Sequence, residues 1–238
     1  MNPWSLILPS VAAGAGLCAW GAMHPAAQLF GPTVRRTGRE SALALTFDDG
    51  PNPAVTPRLL DLLDQHRVRA TFFLIGKHVR ACPELAGEIA ARGHTIGNHT
   101  DSHPNLVWLP QGRIKDELHR CQESIEQATG RGTVLMRPPY GFRGPFLDSA
   151  VRRAGLKHVV MWSASAHDWV PQPSEPVIER LRRVRGADIV LLHDGDPHAL
   201  GGDRQHTIAA LEFWLRRWKD AGLDFITLDT IAVAQARW

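Results

Sequence analysis

Two histidines four residues apart are the clearest chemical signal in this sequence. His99 and His103 enclose the run HTDSH, which directly follows a short segment that is typical of a strand. On a helical turn, residues at positions i and i+4 lie on one face, so both imidazoles can bind the same metal ion. Two ligands leave a metal site incomplete. The sequence must therefore supply a third ligand, and a catalytic site would also keep one position open for water.

A pair of aspartates upstream offers the missing ligand. Asp48 and Asp49 lie in the run TFDDGP at residues 46–51. Neighbouring side chains in an extended chain point in opposite directions, so the two carboxylates need not share a role. One can complete a site of two histidines and one carboxylate, and the other can act as a base toward water. Asp-Gly-Pro is also ordinary turn chemistry, but the histidine motif makes a plain turn the weaker interpretation.

The hydrophobic pattern after residue 40 predicts alternating strands and helices. The strand candidates are Leu43–Phe47, Ala70–Leu74, Thr95–Asn98, Val134–Arg137, His158–Trp162, Asp188–Leu192 and Asp224–Leu228. Helical segments lie between them, and one of these ends at Gly93, a typical C-terminal stop. Such alternation is typical of parallel βαβ units. We expect an α/β fold, in the form of a distorted or incomplete (β/α) barrel with about seven parallel strands.

The polar residues of interest share one position relative to these strands. Each lies at or just past the carboxyl end of a predicted strand: Asp48, Asp49, His99, Arg137, Asp168 and His193. Parallel barrels build their active sites at that face, whereas random placement would also put charges at the opposite ends. The sequence therefore predicts an active site at the C-terminal strand ends.

These residues resemble a known family. The runs TFDDGP (46–51), HTDSHP (99–104), RPPYG (137–141), DW (168–169) and LLHD (191–194) occur in the order of the five motifs of NodB-like polysaccharide deacetylases. Members of that family are metal-dependent carbohydrate esterases. The resemblance covers about residues 41 to 232, and its first two motifs are highly specific as a pair.

The resemblance implies a role for each matching residue on the metal side of the site. Asp49, His99 and His103 would bind one divalent metal ion, zinc before cobalt or nickel, all of which accept this ligand set. Asp48 would be the general base, held in place by Arg137.

The remaining implied roles concern the oxyanion, the acid and the substrate. The backbone N–H of Tyr140 would help to stabilise the oxyanion. His193 would be the general acid, with its pKa raised by Asp168. Trp169 and Leu191 would line a small pocket for the acetyl methyl group.

The expected activity is metal-dependent removal of N-acetyl groups from an N-acetylhexosamine-containing polysaccharide or oligosaccharide. One alternative is a membrane-associated deformylase or deacetylase of a lipid-linked amino sugar, and another is a non-catalytic carbohydrate-binding protein on the same fold. The second alternative stays open because the fourth motif departs from the family: Ser165 stands where an aspartate is common.

The N-terminus differs from the rest of the chain. Residues 1–34 contain no Lys, Arg, Asp or Glu, and Trp4 to Met23 is continuously apolar. That length is compatible with a membrane anchor or a signal-like segment. We therefore expect an N-terminal segment at residues 1–34, a catalytic domain at 40–238, and association with a membrane or the cell envelope.

Composition excludes one class of partner. The net charge is only +3, and no stretch interleaves basic with aromatic residues. A nucleic-acid-binding surface would show a larger positive charge and such a stretch, so we expect no nucleic acid as a partner. The partner that the family resemblance implies is an N-acetylated glycan.

Overall fold

The computed structural model describes residues 4–230, with only the backbone for residues 4–10. Residues 1–3 of the predicted N-terminal segment and 231–238 of the predicted catalytic domain lie outside the described residues. Within 4–230 the strands are β1 (Thr33–Val34), β2 (Ala42–Asp48), β3 (Thr71–Leu74), β4 (Thr95–Asn98), β5 (Leu135–Met136), β6 (His158–Val160), β7 (Ala164–Ser165), β8 (Ile189–His193) and β9 (Asp224–Phe225).

Eight α-helices precede, separate or follow these strands within residues 4–230. They are α1 (Trp4–Met23), α2 (Thr56–Gln65), α3 (Gly76–Ala81), α4 (Pro83–Ala91), α5 (Gln111–Thr129), α6 (Leu147–Arg153), α7 (Ser174–Leu181) and α8 (Gln205–Asp220). Two 3₁₀ turns, Leu106–Trp108 and Pro139–Gly141, follow β4 and β5.

The strands form one curled parallel sheet. Their order is β1-β6-β5-β4-β3-β2-β8-β7, with β9 paired to the start of β2. Every pairing between the named strands is parallel, and Arg36 forms an isolated antiparallel bridge to Asp188 near the two sheet edges. The prediction of an incomplete (β/α) barrel is therefore confirmed.

The strand count differs from the expected seven because β1 and β7 were not predicted. Each has two residues, which is too short for a hydrophobic period to be visible. β1 also lies within the segment that the sequence assigned to the N-terminal region, and it pairs with β6 through Thr33↔Val159.

Strand β2 is an interior strand of the sheet. All seven of its residues are buried, as expected of a parallel strand covered on both faces. It pairs with β3 on one side and β8 on the other, and the register places Asp48 beside His193. The last residues of two neighbouring strands are thus the predicted base and the predicted acid.

Strand β4, which pairs with β3, needs a glycine at position 97. A Cβ atom at Gly97 would lie 2.4 Å from the ring of Phe73 on β3. Because only glycine lacks that atom, Gly97 lets the ring lie close against β4. Phe73 in turn packs under the guanidinium of Arg137, whose Cζ is 4.2 Å from the ring centroid.

The N-terminal region joins the domain through Arg143. Its backbone N–H donates to the Ala22 carbonyl at 2.9 Å, and its guanidinium donates to the carbonyls of Ala27, at 2.8 Å, and His24. Residues 11–20 of α1 are exposed. Among the residues that the structure describes, none of the helices has the length and apolar character needed to cross a membrane.

The core of the sheet determines stability. Phe47 is fully buried and stacks on Phe72, with ring centroids 5.0 Å apart. We expect Phe47→Ala to lower the free energy of unfolding by about 3–5 kcal/mol, because it leaves a cavity in a packed core. Chemical denaturation measures this loss. The control Phe213→Ala, at a partly exposed ring on α8, should cost about 1 kcal/mol or less; equal losses would contradict the assignment of Phe47 to the core.

Candidate active site

The three predicted metal ligands meet at one point. Asp49 Oδ1 lies 3.4 Å from His99 Nε2 and 3.3 Å from His103 Nε2. One donor atom from each residue lies within 4.8 Å of the other two, and all three side chains are buried. Asp49 follows β2, and both histidines lie in the loop after β4, so two strands bring the ligands together.

The protonation of these groups suits a divalent cation. The Nδ1 of His99 contacts the Arg137 carbonyl at 2.8 Å; a carbonyl only accepts, so Nδ1 is the donor and Nε2 is the nitrogen that faces Asp49. Burial and the neighbouring His99 lower the pKa of His103 to about 3, so its ring is neutral. Asp49 Oδ1 is buried and has no hydrogen-bond partner within the described chain. These donors therefore fit a metal ion.

Asp49 stays ionised in this environment. Burial acts to raise its pKa, but the polar contact with His99 and the neighbouring imidazole of His103 hold the pKa well below its usual range. A carboxylate at this position is thus ready to bind a cation at any physiological pH.

Backbone strain is concentrated at the site. Non-glycine residues with positive φ include Asp49 at 72°, Thr100 at 67°, His103 at 60° and Tyr140 at 60°. Such conformations cost roughly 1–3 kcal/mol each and persist only where surrounding contacts enforce them. One of those contacts is His78, which donates from Nδ1 to the Asp49 carbonyl at 3.0 Å.

A buried arginine organises the predicted base. Arg137 Nη1 donates to Asp48 Oδ1 at 2.7 Å and to the Thr46 hydroxyl at 2.8 Å. The guanidinium has no exposed surface, and burial lowers its pKa from the ordinary value. Since Arg137 binds Oδ1, the second oxygen of Asp48 is left for the site, where it lies 3.8 Å from His99 Nε2.

The predicted acid forms a tight pair with Asp168. His193 Nδ1 donates to Asp168 Oδ1 at 2.8 Å, and the His193 backbone N–H donates to Oδ2 at 2.9 Å. Burial alone would lower the pKa of His193, but the charge of Asp168 and this hydrogen bond raise it to about 9. The imidazole is therefore protonated at neutral pH, and Nε2 is the nitrogen left to face the pocket.

These groups surround one pocket of about 500 Å³. Most of the predicted site residues form its wall: Asp48, Asp49, His99, His103, Tyr140, Trp169, Leu191 and His193. The other two, Arg137 and Asp168, have no exposed surface and lie behind Asp48 and His193. Tyr140 and Trp169 are about half exposed, at 49% and 46%, and mark the mouth of the pocket.

The support that α8 gives to the His193–Asp168 pair was not predicted from the sequence. The Thr207 hydroxyl donates to Asp168 Oδ2 at 2.7 Å, and His206 Nε2 donates to the Asp168 carbonyl at 2.9 Å. The available signal was positional: α8 begins after the loop that follows β8, so its first turn lies at the active edge of the sheet.

A second missed group supports the loop of Asp48 and Asp49. Asp194 is fully buried and accepts a hydrogen bond from the Thr56 hydroxyl at 2.5 Å, while Asn52 Nδ2 donates to the Asp194 carbonyl at 2.9 Å. Burial, opposed by the Thr56 hydrogen bond and joined by the charge of Asp49, raises the pKa of Asp194 to about 7.

The departure at Ser165 has a local consequence. Its hydroxyl accepts the His167 backbone N–H at 3.2 Å, so it stabilises the turn before Asp168. Arg137 therefore receives no carboxylate from this position, and its ion pair among residues 11–230 is with Asp48.

Comparisons with known proteins identify the family of this chain. The family model for polysaccharide deacetylase matches residues 35–159. The chain is 36% identical over 193 residues to a chitooligosaccharide deacetylase from Azorhizobium caulinodans, which covers 78% of this chain and 91% of the relative.

Solved structures show the same fold. A peptidoglycan N-acetylglucosamine deacetylase in complex with a hydroxamate matches with a TM-score of 0.74 and 33% identity, over 81% of this chain and 88% of that one. A pseudoenzyme of carbohydrate esterase family 4 from Bacillus anthracis matches with a TM-score of 0.74 and 25% identity, over 84% and 68%. The chain therefore belongs to the polysaccharide deacetylase family, a family of hydrolytic enzymes, as its five motifs predicted.

Proposed function

We propose that this protein is a metal-dependent deacetylase that removes N-acetyl groups from N-acetylglucosamine-containing glycans. The observation that carries the proposal is the arrangement around the pocket: the Asp49–His99–His103 cluster shares one pocket wall with Asp48 on β2 and His193 on β8. The relatives support the same substrate class, since they are named chitooligosaccharide and peptidoglycan N-acetylglucosamine deacetylases.

Asp49, His99 and His103 would hold one divalent ion, with zinc as the first candidate and cobalt or nickel as alternatives for these donors. When bound, such an ion lowers the pKa of water and polarises a carbonyl oxygen. Three protein ligands leave room for both water and substrate.

Asp48 would remove the proton from the attacking water. Its Oδ2 is the free oxygen, because Arg137 binds Oδ1 and fixes the carboxylate plane. The water oxygen then forms a bond to the acetyl carbonyl carbon, and the negative charge develops on the carbonyl oxygen. The backbone N–H of Tyr140 would donate to that oxygen, as an oxyanion-hole group does.

His193 would complete the reaction. Its protonated Nε2 donates a proton to the amide nitrogen as the carbon–nitrogen bond breaks, which leaves acetate and a free amino sugar. Trp169 and Leu191, both in the pocket wall, would contact the acetyl methyl group.

A second candidate keeps the chemistry and changes the substrate. It is a membrane-associated deacetylase or deformylase of a lipid-linked amino sugar, in which the N-terminal segment holds the enzyme at a membrane or in the cell envelope. The exposed, uncharged residues of α1 favour it, as does the Arg143 connection between residues 22–27 and the loop that carries Tyr140.

A substrate panel tests the proposal. Acetate and formate release should be measured from chitooligosaccharides, peptidoglycan and lipid-linked amino sugars, with the purified protein loaded with zinc, cobalt or nickel. Acetate from the first two supports the leading function, and selective release from the third supports the second candidate. If the protein binds glycan without any release, it is a non-catalytic member of the family.

The role of Asp48 can be tested separately from metal binding. Asp48→Asn should lower kcat by roughly 10²- to 10⁴-fold, because the base is lost while the metal ligands stay intact. Metal content by atomic emission should not change. The matched control Asp116→Asn alters an exposed carboxylate on α5 and should keep full activity. Loss of metal by Asp48→Asn would show that Asp48 is a ligand instead.

The ligand assignment makes a distinct prediction. His99→Ala should weaken metal binding by more than about 100-fold and abolish turnover, since it removes a ligand of the cluster. Calorimetric titration with zinc measures the affinity. His119→Ala, at an exposed histidine on α5, is the control and should bind zinc normally. Full retention of metal by His99→Ala would overturn the assignment.

The acid pair predicts the alkaline limb of the pH profile. The reaction needs protonated His193, so activity should be present below its pKa of about 9 and fall as pH rises through that value. Asp168→Asn removes the charge that raises this pKa, and the limb should move down toward about 6.5. The measurement is kcat/KM against pH for both proteins. An unmoved limb would exclude His193 as the group that titrates.

A further inference from the structure

Two neighbouring loops form the acid side of the pocket. The loop after β7 contributes Trp169 and Val170 to the wall, and the loop after β8 contributes Asp196, Pro197 and His198. The first loop also carries Asp168, and the second begins directly after His193. The relative position of the two loops therefore decides the shape of the wall that a substrate meets.

Arg204 connects these loops from behind the wall. It lies immediately before α8 and has no exposed surface. Its Nη2 donates to the Trp169 carbonyl at 2.8 Å and to Asp196 Oδ2 at 3.0 Å, and its Nη1 donates to the Asp203 carbonyl at 2.7 Å. A planar guanidinium fixes several acceptors at set angles, so one side chain holds both loops.

Asp196 transmits this contact to the loop after β8. Its Oδ1 accepts the backbone N–H groups of His198 at 2.8 Å and Ala199 at 3.1 Å, while Oδ2 binds Arg204. Both carboxylate oxygens are thus occupied within the protein. Asp196 shapes the turn that presents His198 to the pocket, and its charge is neutralised by Arg204.

We propose that Arg204 is a positioning residue that sets the affinity for glycan, because its hydrogen bonds to the Trp169 carbonyl and to Asp196 hold these two sides of the pocket in place. This rests on the proposed deacetylase function for the identity of the glycan. Arg204 reaches no metal ligand and contacts neither the base nor the acid directly, so its effect should fall on substrate binding.

The hydrogen bonds between His193 and Asp168 should persist when Arg204 is substituted. Asp168 is held independently by the His193 backbone N–H and by the Thr207 hydroxyl, and its carbonyl is bound by His206. The metal ligands come from the loops after β2 and β4. A substitution of Arg204 should therefore raise KM with little change in kcat, whereas a general loss of structure would change both constants.

The test uses the full chain loaded with zinc and an acetylated chitooligosaccharide as the probe. Arg204→Gln should raise KM, and the Kd measured by calorimetry, by about tenfold, while kcat changes less than about threefold and zinc affinity stays the same. Arg204→Lys should lie between wild type and Gln, because an ammonium cannot hold both walls in one plane. Arg58→Gln is the matched control: Arg58 also reaches α8, at Gln205 and Glu212, but is exposed and remote from the pocket wall.

A double-mutant cycle with Asp196→Ala tests whether Arg204 affects glycan binding through Asp196. If Arg204 acts through Asp196, Asp196→Ala alone should raise KM and Kd similarly, and the double variant should be little worse than either single one. Unchanged KM and Kd in Arg204→Gln overturn the proposal, as does a fall in kcat at constant KM.

Failure of the proposed Arg204 role can be distinguished from failure of the proposed deacetylase function. A wild-type protein that binds the oligosaccharide and releases no acetate contradicts the proposed activity, and the Kd comparison still decides the role of Arg204. If Arg204→Gln does not fold, Asp196→Ala tests the proposal by itself. An unchanged Kd for the oligosaccharide in that variant would overturn the proposed role of Arg204.

Discussion

The buried ion pair between Arg137 and Asp48 is the interaction on which the rest of the site depends. Taking a guanidinium and a carboxylate out of water is expensive, and the cost is offset only when further polar partners surround both. Here the carbonyls of Val160 and Met161 accept from Arg137 at 3.3 Å, and the Thr46 hydroxyl and the Phe73 ring complete its surroundings. These partners come from β2, β3 and the end of β6. The ion pair therefore needs the curled sheet in place, and removing one partner would leave an unpaired charge at its centre, at a cost of about 3–5 kcal/mol.

Two histidines of the same pocket, His103 and His193, have pKa values shifted in opposite directions. Burial and the neighbouring His99 lower the pKa of His103 to about 3, although the Asp49 carboxylate lies 3.3 Å from its Nε2. His193 is equally buried, but its Nδ1 faces the Asp168 carboxylate, so its pKa rises to about 9. A neutral ring suits metal binding and a protonated ring suits proton donation. The two histidines thus differ because burial outweighs the Asp49 charge at His103, whereas the Asp168 charge and hydrogen bond outweigh burial at His193.

The sequence was informative where chemistry is local or tied to strand ends. The spacing of His99 and His103, and the position of Asp48 at the end of a buried strand, were enough to predict a cluster on one face of a parallel barrel. The first turn of α8 was not predictable in this way. Arg204 and Thr207 are ordinary residues near a helix start, and their partners Trp169 and Asp168 are far away in sequence. Strands β1 and β7 were missed for a different reason, since two residues cannot show a period.

The Arg143 contact changes what counts as the catalytic unit. Residues 22–27 lie outside the region that the family model matches, yet their carbonyls receive hydrogen bonds from a residue three positions after Tyr140. The N-terminal region is therefore attached at two places, to the sheet edge through the pairing of β1 with β6 and to the loop at the pocket mouth through Arg143.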